Sequence, residues 1–319
     1  MTATAEIIEG APGTPPVPAA KAVKQAFTSP WAAAGAVAIA VFWTIPTFGL
    51  LVNSFRPALL ANNTGWWTYF SHPTQLTLSN YHDVLFSGGG GSNDGLLTYM
   101  VNSLAIAIPA TVIPIFLASM AAYALSWVRF RGSDVIFFTI FALQVVPLQM
   151  ALVPLLQMYN GGAHIGTITI IPATHLSGNL AEIWLSHTMF SLPLAVFLLY
   201  NFISALPESI IEAARVDGAS HLRIYRTIVL PLSTPAIASF AIFQFIWVWN
   251  DLLVAITFGG NGATNLPLTG RLQQLVGQYG AQLNLLSAGG FISIVIPMIV
   301  FFSMQRFFVR GMLAGSVKG

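Results

Sequence analysis

The chain has 319 residues, 55% of them hydrophobic and only 7% charged, with a formal net charge of +2. A soluble domain carries about a quarter charged residues, so this composition excludes an ordinary soluble fold and points to a membrane. The absence of cysteine excludes a disulfide framework or a thiolate metal site, and so small a charge calls for no nucleic-acid partner.

Residues 1–30 are rich in Ala and Pro and mostly polar, which predicts a disordered cytoplasmic tail. A cleaved signal peptide competes with that reading. The polar lead is long, however, and the first apolar run is long enough to span, so a retained helix is expected. Six apolar runs follow, near 31–53, 96–127, 135–159, 180–204, 232–258 and 284–308. Each reaches or exceeds the roughly 20 residues that cross a hydrocarbon core. Unpaired backbone amides are costly there, so the runs predict helices; the alternation of barrel strands is missing. The second run is long enough to tilt, kink or extend beyond the bilayer.

With the N-terminus in the cytoplasm, Lys21, Lys24, Arg129, Arg131, Arg215, Arg223, Arg226, Arg306, Arg310 and Lys318 fall inside, and only Arg56 and Arg271 outside. This positive-inside bias sets the orientation, with both termini cytoplasmic. The outside loop 54–95 carries Trp66, Trp67 and Tyr69, suited to an interface, and the run Gly88–Gly91. No GK[ST] follows the glycines, so the run reads as a connector rather than a phosphate cradle. The loop 259–283, with Gly259, Gly260, Gly262 and Pro267, is expected to fold over the outer mouth.

Between the fourth and fifth runs lies a charged island, EAARVDGASHLRIYRTIVLP from Glu212 to Pro231. Pro207 and Glu208 suit a helix's first turn, because proline lacks the donor orphaned there and the carboxylate favours the positive dipole end. Ile210, Ile211 and Ala214 can form one packing face, and Asp217-Gly218 predicts a stop. A second short helix is expected from His221 towards Ile228, with Pro231 starting the fifth crossing. The outcome is a helix–turn–helix beyond the bilayer, with Ala213 and Ala214 permitting close approach and Glu212, Arg215 and Arg223 as polar anchors.

Glu212, Ala213, Ala214, Gly218, Ile228, Leu230 and Pro231 have the spacing EAA-x3-G-x9-I-x-LP. This resembles the EAA loop of ABC-importer permeases. Further segments resemble the carbohydrate branch of that family, the maltose/α-glucoside type: Asn102-Ser103-Leu104, Ala122-Tyr123-Ala124 with Phe130-Arg131-Gly132, Ala205 to Ser220, and Trp249-Asn250-Asp251. The end of the chain, Gln305 to Gly319, resembles the terminus of the MalG-like permease half. The resemblance covers roughly 31–319, apart from the long outer loop.

The resemblance implies an all-α membrane protein with six transmembrane helices of the type I ABC-importer permease type and a cytoplasmic EAA coupling helix. It implies a permease domain over 31–308, its EAA loop at 205–231, and a cytoplasmic C-terminal tail at 309–319. The implied location is the inner membrane of a bacterial or archaeal cell. The implied partners are a second, homologous permease subunit, two ATP-binding subunits and an extracytoplasmic sugar-binding protein, besides membrane lipid. ATP and Mg would be bound by the ATPase subunits; this chain would hold no cofactor, have no catalytic role, and contribute half of an alternating-access pathway for a maltose-, trehalose- or α-glucoside-like sugar. Glu212, Ala213, Ala214, Arg215, Asp217 and Gly218 would couple to the ATPase pair. Gln305, Arg306, Gly311 and Gly315 would make a second, C-terminal contact.

Polar groups at membrane depth are costly and default to functional candidates. Asn102, Gln144, Gln149, Gln244, Asn250 and Asp251 are the substrate-pathway candidates, since amides match sugar hydroxyls. Against this, an interhelical hydrogen bond is the common fate of a lone amide in a bundle. Prolines 109, 114, 147, 154, 193 and 297 invite a gating role, yet neighbouring helices commonly satisfy the carbonyls such prolines free. His72, His82, His164, His175, His187 and His221 show no ligand spacing and read as loop or interfacial residues. The alternatives are an ABC permease for a polyol or glycerol phosphate and, in other classes, a stand-alone secondary transporter or an intramembrane hydrolase.

Overall fold

The computed structural model describes residues 30–73, 75–87, 94–128, 130–174, 176, 178–259, 265–278 and 282–315, with side chains left undescribed at 306 and 308–315. The expected tail at 1–30, apart from Pro30, and the Gly88–Gly91 run lie outside the described residues. So do Gly260, Gly262 and His175.

Among the described residues, those up to Val52 form one compact unit and those from Asn53 another. The first unit supplies most of α1 (Pro30–Phe55), an apolar helix containing Pro46. By length alone, about 39 Å at 1.5 Å per residue, α1 suffices to cross a bilayer.

The second unit begins with a loop wound around the buried Arg56, whose guanidinium donates to the Asn53 side chain, to the carbonyls of Thr64 and Gly65, and to the hydroxyls of Thr64 and Thr68. These acceptors draw α2 (Ala58–Asn63) and the 3-10 turn Trp66–Ser71 into a compact cap. Helix α3 (Ser79–Phe86) follows, and its buried Asn80 donates to the carbonyls of Ser54 and Arg56 while accepting from Asn284 at 2.7 Å.

The bundle proper is built from α4 (Leu96–Trp127), α7 (Leu180–Ser204), α10 (Leu230–Asn250) and α13 (Leu283–Gly315). The α4–α7 contact is the most extensive. Ala107, Ala110, Ala118 and Ala122 on α4 are fully buried. Small residues at such spacing let backbones approach where no hydrophobic drive separates helix from lipid. Two apolar clusters result, one around Tyr99, Tyr159, Ile183, Trp249 and Phe258, the other around Tyr123, Trp127, Leu199, Ile211, Ile224 and Tyr225.

Three prolines within these helices are answered from across the bundle. A proline has no N–H to bond the carbonyl four residues earlier. Pro109 thus frees Ala105, whose oxygen accepts from Trp184 Nε1 at 2.9 Å. Pro114 frees Ala110, which accepts from Gln244 Nε2 at 3.1 Å. Pro297 frees Ser293, which accepts from Trp249 Nε1 at 3.1 Å. The freed carbonyls are paired with donors on α7 and α10, so they act as sockets that tie α4 and α13 to their neighbours.

Several expected boundaries move. The third run is two helices, α5 (Ser133–Leu143) and α6 (Leu148–Gly161), bent by 105°. Pro147 is the cause: it biases Val146 out of helical conformation, and the Leu143 carbonyl closes a turn to Val146 N at 3.1 Å instead. At about 16 and 21 Å, neither arm alone spans the core. Five helices are therefore long and apolar enough to cross a membrane, or six if the bent pair is one span.

The fifth run does not begin at Pro231. A continuous helical path runs from α9 (His221–Ile224) through the π turn Tyr225–Val229 into α10. It stops at Asn250, because Asp251 is extended and starts the separate α11 (Leu253–Phe258). After α12 (Leu268–Gln278), α13 continues to Gly315, so residues 309–315 prolong the last helix rather than form a separate tail. Among the described residues one small hairpin departs from an all-α chain: β1 (Ala163–Ile165) pairs antiparallel with β2 (Ile168–Ile171), with Gly166 at φ +62° in the turn.

Candidate functional site

At one end of the bundle, α8 (Glu208–Val216) and α9 form a helix–turn–helix. Helix α8 starts after Pro207, carries Glu208 in its first turn and Arg215 in its last. Its stop is a Schellman motif: Ala219 N bonds Ala214 O and Gly218 N bonds Arg215 O, each at 3.0 Å, with Gly218 at φ +73°. Ser220 then caps α9 by accepting from Arg223 N.

This elbow is lashed to the bundle. Ile211 and Ile224 are 1% exposed and join the second apolar cluster, with Ala214 packed against it. Ile210 leaves the expected packing face and is 41% exposed. Arg215 Nη2 donates to the Trp127 carbonyl at 2.7 Å, at the end of α4, and Trp127 Nε1 in turn donates to Ile203 O on α7 at 3.0 Å. Tyr123 meets His221 Nδ1 at 3.0 Å, and Ser119 meets the Tyr225 hydroxyl at 2.7 Å. Helix α8 is thus tied to the end of α4 and, through Trp127, to α7. Glu212, Ala213, Asp217 and Gly218 face outward, beside the exposed apolar residues Ile210, Val216 and Leu222.

Gln305 is exposed on α13, and Arg306, Gly311 and Gly315 lie on the same helix. The side-chain surroundings of Arg306, Gly311 and Gly315 fall outside the described residues.

The pathway candidates separate into different settings. Asn102 donates to Leu266 O at 3.1 Å and so ties α4 to the segment before α12, a tie that Leu268 N repeats by donating to Ser103 Oγ. Gln244 is 1% exposed, its nitrogen engaged by Ala110. Asn250 is exposed and donates back to Ile246 O within its own helix. Asp251 Oδ2 accepts from Val254 N at 3.0 Å and Ala255 N at 3.3 Å, capping α11. Gln144 lies exposed at the α5–α6 break, and Gln149 is exposed one residue into α6.

Two cavities bring some of these together. One, of about 570 Å³, takes in Gln144 and Gln244 with Phe243 and Trp247. The other, of about 730 Å³, takes in Asn250 and Asp251 with the same Phe243 and Trp247. Asn102 and Gln149 line neither.

His187 departs from the loop or interfacial setting expected of it. It is fully buried on α7, its ring 5.6 Å from Trp247 and its Nε2 3.7 Å from Asp251 Oδ2. Glu182, also fully buried, accepts from Gly178 N through one oxygen at 3.2 Å. A single polar letter in an apolar run gives no sign of which way it faces, which is why His187 could not be placed from sequence. Among the described residues no group of three His, Cys, Asp or Glu could hold a metal ion.

A membrane-length helix bundle with cavities along one face of α10 and an elbow lashed to one end is the architecture of a multi-pass permease. The chain belongs to the family described as binding-protein-dependent transport system inner membrane component, whose model matches residues 99–314. It is 50% identical to the osmoprotective compounds uptake permease protein GgtD of Synechocystis, over 88% of this chain and 89% of that one. It is 53% identical to the alpha-glucoside transport system permease protein AglG of Rhizobium meliloti, over 77% of this chain and 62% of that longer protein. A probable starch degradation products transport system permease, AmyC of Thermoanaerobacterium thermosulfurigenes, is 32% identical over 88% of this chain and 94% of its own. In fold, the chain matches a bacterial ABC transporter involved in the import of the acidic polysaccharide alginate, with a TM-score of 0.68 at 21% identity, covering 92% of this chain and 100% of the other. Family membership makes the chain a transport subunit rather than an enzyme and sets aside the secondary-transporter and hydrolase readings.

Proposed function

We propose that this chain is one half of the translocation pathway of an ATP-driven importer of neutral sugars of the α-glucoside kind. A second permease subunit completes the pathway, two ATP-binding subunits hold ATP and Mg, and an extracytoplasmic binding protein delivers the sugar. Both termini and the α8–α9 elbow lie in the cytoplasm, and α8 seats in the ATPase pair through Glu212, Ala213, Asp217 and Gly218, while Ala214 and Arg215 hold its inner side to the bundle. The C-terminal end of α13, from Gln305, makes the second contact.

The observation that carries the reading is the Arg215–Trp127 link. A helix whose outer face is open while its inner side is bonded to the end of α4 is suited to pass a push into the bundle. The alpha-glucoside relative supports the sugar class. A phosphorylated polyol is disfavoured because, among the described residues, neither α10 cavity is lined by a basic one.

The test is purification of the chain from its own membrane, identification of the subunits that accompany it, and reconstitution with the binding protein. α-Glucosides delivered by that protein should stimulate ATP hydrolysis. Purified chain that moves solute alone, without an ATPase, would overturn the proposal.

A further inference from the structure

Four tryptophans stand on α4, α7 and α10, and three of them spend the indole N–H on a backbone carbonyl: Trp127 on Ile203, Trp184 on Ala105, and Trp249 on Ser293. Trp247 differs. It is half-buried, and its N–H has no partner among the described residues. Its indole lines both α10 cavities, so this is an aromatic surface that, unlike the other three, is not committed to a backbone acceptor.

The neighbours of Trp247 agree. Phe243, Trp247 and Asn250 fall at i, i+4 and i+7, one stripe of α10. Both cavities share Phe243 and Trp247, so the indole lies where the two meet. The exposed amide of Gln144 lies on one side, and Asn250 and Asp251 on the other. The ring is held by His187, nearly perpendicular at 87° and fully buried. A fixed aromatic face flanked on both sides by hydrogen-bonding groups complements a ligand with a flat C–H face and a rim of hydroxyls. A pyranose ring has that form; an open-chain polyol has no such face.

We propose that Trp247 is the platform on which a pyranose ring of the solute stacks in passing this half of the permease, with His187 as the positioning residue behind it. The proposal rests on the sugar-importer reading and names the residue that selects the ring.

The test compares Trp247→Leu, which keeps apolar volume but loses the flat face, with Trp247→Phe, which keeps a flat face. Each is assembled with its partner subunits and binding protein in proteoliposomes, and labelled trehalose and maltose are followed together with ATP hydrolysed. Trp247→Leu should lower sugar moved per ATP roughly three- to tenfold, as the loss of one aromatic contact implies, and Trp247→Phe should restore most of it. An unchanged ratio in Trp247→Leu, or an equal fall in both variants, overturns the stacking role while leaving the importer reading intact. Should Trp247→Leu not assemble, Trp247→Phe decides: an assembled Phe variant that no longer moves sugar sinks the proposal. A wild-type complex that accepts no sugar of this class sinks both.

Discussion

The side-chain amide of Gln244 donates to the carbonyl of Ala110 at 3.1 Å, and that carbonyl is the acceptor Pro114 leaves unclaimed on α4. The bond crosses from α10 to α4, so a local fault in one helix becomes the attachment point for another. Its worth therefore depends on the proline. Gln244→Leu in the native background leaves a buried carbonyl unpaired and should destabilise the assembled complex by about 1 kcal/mol. In a Pro114→Ala background, residue 114 regains an N–H for Ala110, and the same Gln244→Leu change should cost almost nothing. Thermal unfolding of the four detergent-solubilised variants gives the coupling directly. Equal costs in the two backgrounds would show that Gln244 acts elsewhere.

The same logic predicts a second cycle at the other side of α10. Trp249→Phe keeps the ring's packing against Phe245, 5.8 Å away, but removes the N–H that serves Ser293. The loss should be about 1 kcal/mol with Pro297 present and close to zero after Pro297→Ala. The two cycles share no partner residue, so their effects should add.

These pairings show where sequence reading stops. The prolines at 109, 114 and 297 state in advance which carbonyls need a donor, but not which neighbour supplies it, because that depends on helix rotation. Trp247 and Trp249 make the point within one helix. Two residues apart on an α-helix lie about 200° apart around its axis, so one faces α13 and the other the cavities. Both read simply as aromatics in an apolar run. The long helices were legible because apolar length alone specifies them. The 105° break at Pro147 was not, since composition is alike on both arms and only packing sets the angle. The elbow's local chemistry was legible in Pro207, Glu208 and Asp217-Gly218, which act through their own backbone. The direction of Ile210 was not, because the groove that receives Ile211 is made by α4 and α7.

Gly218 offers a test of the elbow's turn. Its φ of +73° disfavours a β-branched residue, yet a Cβ there would meet no atom within 4 Å. The cost of substitution is therefore conformational rather than steric. Gly218→Val should destabilise the turn by about 1–2 kcal/mol and sharply reduce solute-stimulated ATP hydrolysis in the reconstituted complex, whereas Gly218→Asn, which visits this region more readily, should retain most of it. Equal loss in both would assign the defect to bulk on a docked surface instead of to the turn.

Asp251 joins the end of α10 to the start of α11, and its role there can be separated from any contact with solute. Its carboxylate accepts from Val254 N and Ala255 N, while its own carbonyl accepts from Thr269 Oγ1 at 2.9 Å. Asp251→Ala removes the cap at a cost of about 1 kcal/mol and should speed amide exchange at Val254 and Ala255. Asp251→Asn keeps an acceptor oxygen at the same reach and should leave that exchange nearly unchanged, because asparagine caps as well as aspartate. The charge itself is what Asp251→Asn deletes, so any transport defect in that variant belongs to the charge facing His187 and the cavity, 3.7 Å from the imidazole. Exchange followed by mass spectrometry across residues 251–258, with sugar uptake in the same preparations, distinguishes the two. Faster exchange in Asp251→Asn would show that the cap requires the charge, and the separation would fail.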